Sequence, residues 1–500
     1  MRFSTVCLAV LVACGDNSPP PLPESLSVGP VEIEPSTMSI TVGGLTLHRF
    51  VRIGVTDDVD ETHYYDPRGD ASVISSPAVA RSFDGEWIML EGGARLRLVP
   101  CPSLADCALL EIDASAVDDA VQLAIALPQG ANEPVYGSGD AAAGANLAGQ
   151  QRELQLRVEP TSESTLNETH VPVPLLLWPR RNIGWFIADD RPGALDAVGE
   201  RVAATFTLPV RGTYRSYIFR GKTPLDLPRA YTTLTAKPAV PPRWAFAPQQ
   251  WRNVWNSTAE VLDDATQMRE RDIPGSVMWI DNPWQTGYNT FVIDEVRFAG
   301  AQQLIADLEA RGFHVVFWST PYVGTTPVTS ADRAEGVANK YFVTDDANRV
   351  IDFPWQDGPG ALVDFTRPGA TEFWRERIKR VVALGARGFK LDFGEEVVPE
   401  IGGTVVTMLL ANGDNSSHHA RYAEGYHEAY LGALPPGEGF ILTRAGAWGE
   451  QAVNTAIWPG DLDSDMSVYG VDNGSGKANV GGLPSAISRG LSLSVSGFPF

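Results

Sequence analysis

The chain has 500 residues, of which 44% are hydrophobic and 20% are charged, so it can bury a sizeable core and is long enough for more than one domain. Its formal net charge at pH 7 is −22. A surface this acidic repels phosphate backbones and anionic lipid headgroups, which argues against nucleic acid as a partner and leaves neutral ligands open.

Residues 1–26 are typical of a secretion signal followed by a tether. Arg2 supplies a short positive region, and the apolar run VCLAVLVA at residues 6–13 is too short to span a bilayer. The tetrad LVAC, which ends at Cys14, resembles a bacterial lipoprotein signal, and this implies that Cys14 is acylated. The proline-rich GDNSPPPLPES that follows predicts an extended tether. We therefore expect a lipid anchor at the inner or outer membrane, in the periplasm or at the cell surface; the alternative is an ordinary signal peptide with an incidental cysteine.

Two cysteines remain in the body of the chain, Cys101 and Cys107 in the segment CPSLADC. Their short separation suits a small disulfide loop in an oxidising compartment. Zinc is the weaker interpretation, because four ligands are needed and no second Cys or His pair lies nearby in the sequence. We expect no metal site.

Residues 27–237 show the period-two alternation of antiparallel strands. Met38, Ile40 and Val42 alternate with polar residues, and later Ala204 and Phe206 do the same. No long helical period is found in this region. The pattern predicts an N-terminal β-sandwich.

Residues 238–500 change to alternating strands and helices after Pro241-Pro242. Residues 244–251 predict a buried strand, and residues 257–271 predict a helix with capping-box spacing between Ser257 and Glu260. Further strands are predicted at 276–281, 314–320, 389–393, 440–444 and 455–460. Strands that alternate with crossover helices predict a parallel (β/α)8 TIM barrel.

Several residues suited to binding or catalysis stand at the C-terminal ends of these predicted strands, which is the face where TIM barrels place their active sites. They are Asp281, Trp318, Asp392, Arg444 and Asp461. A strand-terminal Asp that caps the next helix is the alternative for any one of them. All of them together indicate a single site.

Asp392 and Asp461 are the candidate pair for cleavage of a glycosidic bond, which needs one carboxylate to attack and a second to protonate the leaving oxygen. Lys390 or Arg444 would keep Asp392 ionised. Asp461 follows Trp458, and we expect it to be poorly solvated, as suits a general acid. The double-displacement mechanism requires the two carboxyl groups to lie roughly 5–6 Å apart across one sugar pocket.

Residues 130–500 resemble glycoside hydrolase family 31. The segments that carry the resemblance, in order, are EPVYGSGD (133–140), PPRWAFAPQQW (241–251), RERDIPGSVMWID (269–281) with NTFVIDEVRF (289–298), FKLDFGEE (389–396) and WPGD (458–461). The resemblance implies a galactose-mutarotase-like sandwich before the barrel and a retaining mechanism on α-linked sugars without a cofactor or metal.

The resemblance also assigns roles to individual residues. Asp392 matches the nucleophile and Asp461 the acid/base. Asp281 and Arg444 match residues that contact the sugar in the cleavage subsite. The same pocket would include Trp318, Lys390 and Trp355; for Trp355 the alternative is packing within its own loop, FPWQDGPG.

Two departures from the family pattern affect what we expect. The chain stops at LSVSGFPF, before the last two barrel strands of family members, so we expect a barrel that is incomplete in this chain. The segment NPWQTGYNT differs from that of starch-type α-glucosidases, whereas FKLDFGE is closer to α-xylosidase and sulfoquinovosidase members.

The leading interpretation is a retaining, exo-acting α-glycoside hydrolase that acts on an α-linked oligosaccharide or glycoside. The alternatives are a transglycosylase of the same family, a non-catalytic glycan-binding lipoprotein at the cell surface, and an α-galactosidase of a related barrel clan. The residues leave the sugar, the linkage and the oligomeric state open.

Overall fold

The computed structural model describes residues 21–57, 72–154, 170–191, 193–207, 212–353, 358–394, 400–401, 404–405, 408–412, 418–471 and 480–500. Antiparallel sheets come first, and a curled parallel sheet with helices follows. An α/β, TIM-like domain preceded by a β-rich domain is therefore confirmed. The eightfold barrel, the galactose-mutarotase-like topology and the boundaries 1–26, 27–237 and 238–500 stay predictions. Cys14 and Trp355 lie outside the described residues.

The β-rich part consists of short strands joined by tight turns. In the described ranges its strands are β1 (Leu26–Val28), β2 (Val31–Glu34), β3 (Ser39–Val42), β4 (Leu45–His48), β5 (Val51–Val55), β6 (Ile74–Pro77), β7 (Ala80–Phe83), β8 (Ile88–Leu90), β9 (Arg95–Pro100), β10 (Cys107–Asp113), β11 (Ala120–Pro128), β12 (Tyr136–Gly139), β13 (Gln151–Glu153), β14 (Pro172–Trp178), β15 (Ile183–Ile187), β16 (Gly193–Asp196), β17 (Arg201–Thr207) and β18 (Thr213–Arg220).

Two large antiparallel sheets pack face to face in this part. The eight-stranded sheet has the order β12-β14-β15-β18-β10-β9-β8-β7, and the six-stranded sheet has the order β13-β16-β17-β11-β5-β6. Alternate residues of both sheets, such as Leu110 and Ile112 on β10 and Leu123 and Ile125 on β11, share one core. A smaller sheet, β1-β2-β3-β4, contributes Ile33 and Ile40 to the same core. This arrangement is the layered packing expected of alternating strands.

The eight-stranded sheet is also covered on its other face. Leu175 and Leu177 on β14 and Phe186 on β15 form a second core with a helix, α1 (Asp226–Leu234). The sequence predicts β structure without a long helical period for residues 27–237, and the nine-residue helix α1 departs from that prediction. Its apolar side chains Leu227 and Tyr231 are four residues apart, so they lie on one helix face and pack onto the sheet.

A disulfide joins Cys101 and Cys107 where β9 turns back into β10. Both cysteines are buried in the second core.

The α/β part alternates strands with helices. Its elements are β19 (Gln249–Arg252), α2 (Thr258–Glu270), β20 (Val277–Ile280), α3 (Ala301–Ala310), β21 (His314–Ser319), β22 (Tyr322–Gly324), α4 (Ser330–Ala338), β23 (Asp352–Phe353), β24 (Gly360–Leu362), α5 (Ala370–Val382), β25 (Gly388–Leu391), β26 (Glu400–Ile401), β27 (Thr404–Val405), α6 (His418–Leu431), β28 (Phe440–Thr443), β29 (Ala456–Ile457) and α7 (Leu483–Val495).

The main sheet has the order β19-β20-β21-β25-β28-β29, and all its pairings are parallel. α2 begins as predicted, since the Ser257 side chain accepts a hydrogen bond from the Glu260 N–H at 3.2 Å. The buried strand predicted at 244–251 is wrong in its extent and in its burial, since the residues of β19 are half-buried or exposed. Residues Arg243–Phe246 form a 3₁₀ turn, and β19 starts only after Pro248, which has no N–H to donate to a sheet.

Helix α7 joins the two parts of the molecule by packing on β12. Gly139 on β12 has a φ of 78°, and a Cβ there would lie 1.9 Å from the Val171 carbonyl oxygen, so only glycine fits. Its N–H donates to Ser496 Oγ at 3.0 Å, and Ser492 Oγ donates to the Gly137 carbonyl at 2.9 Å. The segment EPVYGSGD therefore forms a docking edge for α7.

Of the helices that the structure describes, none has the length and apolar character needed to cross a bilayer.

A buried ion pair between Asp140 and Arg489 closes this junction. The two side chains are only 2% and 5% exposed, so removal of Arg489 leaves the buried Asp140 charge without its ion-pair partner, and the buried Arg152 then acts on it only through its charge. We expect Arg489→Met to lower the free energy of unfolding by about 3 kcal/mol in urea denaturation at pH 7. Arg229→Met, which removes an exposed cation paired with Asp226, is the matched control and should cause no measurable change. Equal effects of the two substitutions would contradict the prediction.

Candidate active site

The parallel register brings the polar residues predicted from sequence to one edge of the main sheet. β20, β21, β25 and β28 are consecutive neighbours. Asp281, Asp392 and Arg444 each follow directly after a strand, namely β20, β25 and β28. Trp318 is on β21, opposite Lys390 of β25. These five side chains therefore belong to one site, as carboxyl-end placement predicts.

The Asp392 carboxylate is held by donors from three directions. Arg444 Nη1 lies 2.9 Å from Oδ1, and the Phe393 N–H donates to the same oxygen at 3.0 Å. The Trp318 indole N–H donates to Oδ2 at 2.9 Å. Asp392 is 6% exposed, so these charge-assisted contacts are made in a largely dry environment. They fix the carboxylate in one orientation.

Asp281 is held in a similar way. The Trp251 indole N–H donates to Oδ2 at 2.7 Å, and the Asn282 N–H donates to Oδ1 at 2.7 Å. The Lys390 ammonium lies 3.4 Å from Oδ2. Burial raises the pKa of Asp281 above its usual value, although Lys390 and the indole N–H act in the opposite direction. The desolvation of a 7% exposed carboxyl therefore outweighs its stabilising partners.

Lys390 is the cation shared by the acidic residues of the site. Burial alone would lower its pKa, but the charges of Asp392, Asp281 and Asp461 raise that pKa above the usual value. The ammonium lies 4.8 Å from the centre of the Trp458 ring and 5.6 Å from that of Trp251. Cation–π contact adds to this attraction. Lys390 stays charged and draws three carboxylates into one neighbourhood.

Asp461 lies close enough to Lys390 for its negative charge to help raise the pKa of that lysine. It follows β29 by four residues, after Gly460, and is exposed. The expectation of a poorly solvated Asp461 is therefore wrong. The reason is that the carboxyl lies on a loop beyond the strand end, whereas Trp458, which suggested burial, contacts Lys390.

Sequence reasoning missed three side chains that contact the site. Trp251 holds Asp281, Phe393 packs its ring 4.1 Å from the Arg444 guanidinium carbon, and Tyr426 on α6 hydrogen-bonds the main chain of Asp392. Trp251 could have been found, because it stands near the end of the first barrel strand. No periodic signal identifies the contacts of Phe393 and Tyr426. Among the described residues no group of three or more His, Cys, Asp or Glu is placed to hold a metal ion.

A parallel α/β sheet with held carboxylates at its C-terminal edge defines the chain as a TIM-barrel-type protein with an active-site face. The family model of the TIM-barrel domain of glycosyl hydrolases family 31 matches residues 238–500. The chain therefore belongs to glycosyl hydrolases family 31, and the resemblance noted in the sequence is confirmed.

Similar proteins cover the chain to different extents. The chain is 32% identical over 259 residues to alpha-glucosidase 2 of Bacillus thermoamyloliquefaciens, a match that covers 50% of this chain and 33% of that protein. It is 29% identical over 337 residues to an alpha-xylosidase of Emericella nidulans, with 63% and 39% covered. A sulfoquinovosidase structure from E. rectale has the same fold at a TM-score of 0.73 and 18% identity, with 94% of this chain and 72% of that chain covered. The matches thus span 33% and 39% of the lengths of the two curated relatives.

The shared cation generates a pH-dependent prediction for stability. Lys390→Met leaves the Asp281 carboxylate buried without its cation, so the pKa of Asp281 should rise further and the free energy of unfolding at pH 7 should fall by about 3 kcal/mol. A carboxyl whose pKa is raised on folding destabilises the fold only while it is ionised. The deficit should therefore shrink as the pH falls from 7 through the raised pKa of Asp281. Urea unfolding at a series of pH values measures it.

Two control variants separate this effect from simple loss of packing. Lys390→Met combined with Asp281→Asn should recover most of the stability at pH 7, because the buried charge is then absent. Lys379→Met removes a lysine whose ion pair with Glu372 is half exposed, and it should leave stability unchanged at every pH. A deficit for Lys390→Met that is the same at all pH values would show that the charge on Asp281 is not its cause.

Proposed function

We propose that this chain is the catalytic part of a retaining, exo-acting α-glycoside hydrolase, with Asp392 as nucleophile and Asp461 as general acid/base. The observation that carries the proposal is the Asp392 carboxylate, which is buried and held by Arg444, Trp318 and its own neighbouring N–H beside a cation that Asp461 also attracts. Membership of glycosyl hydrolases family 31 supports the reaction class.

The reaction proceeds in two displacements. Asp392 attacks the anomeric carbon, the glycosidic C–O bond breaks, and Asp461 gives its proton to the departing oxygen. The sugar is then bound to Asp392 as an ester. Asp461, now ionised, takes a proton from water, the water oxygen attacks the anomeric carbon, and Asp392 leaves as a carboxylate. Both aspartates return to their starting states, and the α configuration is retained.

The exposure of Asp461 suits its part in this cycle. The group that activates water in the second displacement must be within reach of solvent, whereas the nucleophile is best kept fixed. Asp461 is exposed and Asp392 is 6% exposed, which matches this division.

Other side chains of the site would bind the sugar. The Asp281 carboxylate, the Lys390 ammonium and the Arg444 guanidinium offer acceptors and donors for hydroxyl groups, and Trp318 offers an apolar wall. Trp355 is proposed as a further wall residue from its sequence position alone. The substrate would be an α-linked oligosaccharide or glycoside, since the similar proteins include an alpha-glucosidase and an alpha-xylosidase.

Covalent trapping tests the assignment of the nucleophile. A fluorinated glycosyl fluoride should add one sugar to the protein, and peptide mass spectrometry should place it on Asp392. A panel of such reagents with different sugars covers the unknown specificity. Asp392→Asn should take up no label. Label on any other residue of the wild-type chain would overturn the assignment.

Asp461→Ala serves as the matched control in the same experiment. Fluoride departs without protonation, so this variant should still label Asp392, while its turnover of glycosides with poor leaving groups should fall by about 10²-fold or more. A chain that binds glycans in calorimetry but takes up no label in any form would instead support the glycan-binding alternative.

We also propose that Cys14 carries a lipid anchor, which would hold the protein in the periplasm or at the cell surface. The support is the sequence of residues 1–26, together with the Cys101–Cys107 disulfide, which suits an oxidising compartment. A clickable fatty-acid analogue should label the chain and its Cys7→Ala variant, whereas Cys14→Ala should stay unlabelled and leave the membrane fraction. Labelling that persists in Cys14→Ala would contradict the anchor.

A further inference from the structure

The main chain turns sharply directly after Asp392. β25 ends at Leu391, and the next two residues after Asp392 are both left-handed, Phe393 with a φ of 60° and Gly394 with a φ of 101°. Such a conformation is unfavourable for a phenylalanine and persists only where its surroundings hold it. The Asp392 carbonyl therefore lies at the point where the strand leaves the sheet. What fixes this turn also fixes the main chain that carries the carboxylate.

The Tyr426 hydroxyl lies against this turn from the helix side. It is on α6 and is fully buried. Its Oη lies 3.2 Å from the Asp392 carbonyl oxygen and 3.1 Å from that of Ser319 on β21. One hydroxyl proton is thus shared between the ends of two neighbouring strands. The ring also packs on the turn, since a Cβ added to Gly394 would lie 3.1 Å from Tyr426 Cδ1.

The same two strand ends hold the Asp392 carboxylate. Trp318, which donates to Oδ2, is on β21 one residue before Ser319. The Asp392 N–H donates to the Ser319 carbonyl at 2.9 Å. Any shift of β25 relative to β21 would therefore lengthen the indole contact to the carboxylate. Arg444 is tied to the turn as well, because its guanidinium stacks over the Phe393 ring.

We propose that Tyr426 is a positioning residue for the Asp392 carboxylate, acting through its hydroxyl bridge to the Asp392 and Ser319 carbonyls and through its packing on the Phe393–Gly394 turn. The inference rests on the proposed role of Asp392 as nucleophile and adds to it a residue that touches no substrate. Tyr426 would act on the rate at which the nucleophile attacks and not on how tightly the sugar binds.

Tyr430 provides a matched control on the same helix. It lies one turn further along α6, is also fully buried, and its Oη lies 2.6 Å from the Ser319 side-chain oxygen. Tyr430→Phe thus removes a buried hydroxyl with a hydrogen bond to the same residue, but it leaves both carbonyl contacts of the turn in place. A purely structural role for these tyrosines predicts similar consequences for the two variants.

The test measures the first-order trapping rate and the dissociation constant of the fluorinated glycosyl fluoride separately, with the full chain and the sugar that labels wild type best. Tyr426→Phe should slow trapping at Asp392 by about tenfold or more at saturating reagent, with little change in the dissociation constant, because sub-ångström displacement of a nucleophile costs rate. Tyr430→Phe should trap at close to the wild-type rate, even if both variants unfold at lower temperature.

A second variant alters the packing of Tyr426 on the turn by changing the turn itself. Gly394→Ala places a methyl group against the Tyr426 ring at a left-handed position and should also slow trapping without weakening reagent binding. Equal trapping rates for wild type and Tyr426→Phe, or equal losses for Tyr426→Phe and Tyr430→Phe, would overturn the positioning role. Absence of label on Asp392 in the wild-type chain would instead overturn the proposed function itself.

Discussion

One buried ammonium group makes the arrangement of this site physically tenable. Asp281 and Asp392 are both less than a tenth exposed, and Asp461 acts on the same region. Like charges gathered at one edge of a sheet would repel each other and favour protonation. Lys390 lies among them and stays charged because their combined attraction exceeds the cost of its own burial. Its position follows from the local chain, since Lys390 is on β25 and Asp392 follows two residues later, directly after the strand ends, and side chains two residues apart along an extended chain point to the same side.

Tryptophans and an arginine complete this electrostatic arrangement. The indole N–H groups of Trp318 and Trp251 each donate to a different aspartate, and the Arg444 guanidinium pairs with Asp392. Each of these donors belongs to a different strand or strand end of the main sheet. The site is therefore as rigid as the register of the sheet allows. The parallel pairing of neighbouring strands fixes the positions of these donors relative to one another. The paired strands are β20, β21, β25 and β28.

The β-rich part contributes to this rigidity from outside the sheet. Its eight-stranded sheet is buried on both faces, against the sandwich core on one side and against α1 and α7 on the other. The family model covers residues 238–500, whereas the likeness of fold to the sulfoquinovosidase structure extends over 94% of the chain. The junction at β12 and α7, with its buried Asp140–Arg489 pair, shows how the two parts pack together. A contact of this kind, with polar groups desolvated on both sides, tolerates little displacement.

The sequence by itself determined the elements and their order. Period-two alternation predicted the β-rich part, the strand–helix alternation predicted the parallel sheet, and ordered motifs identified the family, because these signals are local or follow the chain. The same rule placed Asp281, Asp392 and Arg444 at one edge. The sequence patterns did not predict α1, because the apolar face of this short helix can be recognised only from the sheet that it covers. They also placed the start of β19 too early, since this strand begins only after Pro248.

Tertiary structure alone decided which side chains meet and how dry they are. The exposure of Asp461 became visible only in the fold. Lys390 interacts with three carboxylates, and Tyr426 on α6 hydrogen-bonds the Asp392 carbonyl. Both sets of contacts are between residues that lie far apart in the chain. The partner of a buried polar group is set by packing across elements and not by sequence spacing, and desolvation depends on every neighbour at once. For that reason the strand ends could be located in the sequence, whereas the contacts that hold the carboxylates could not.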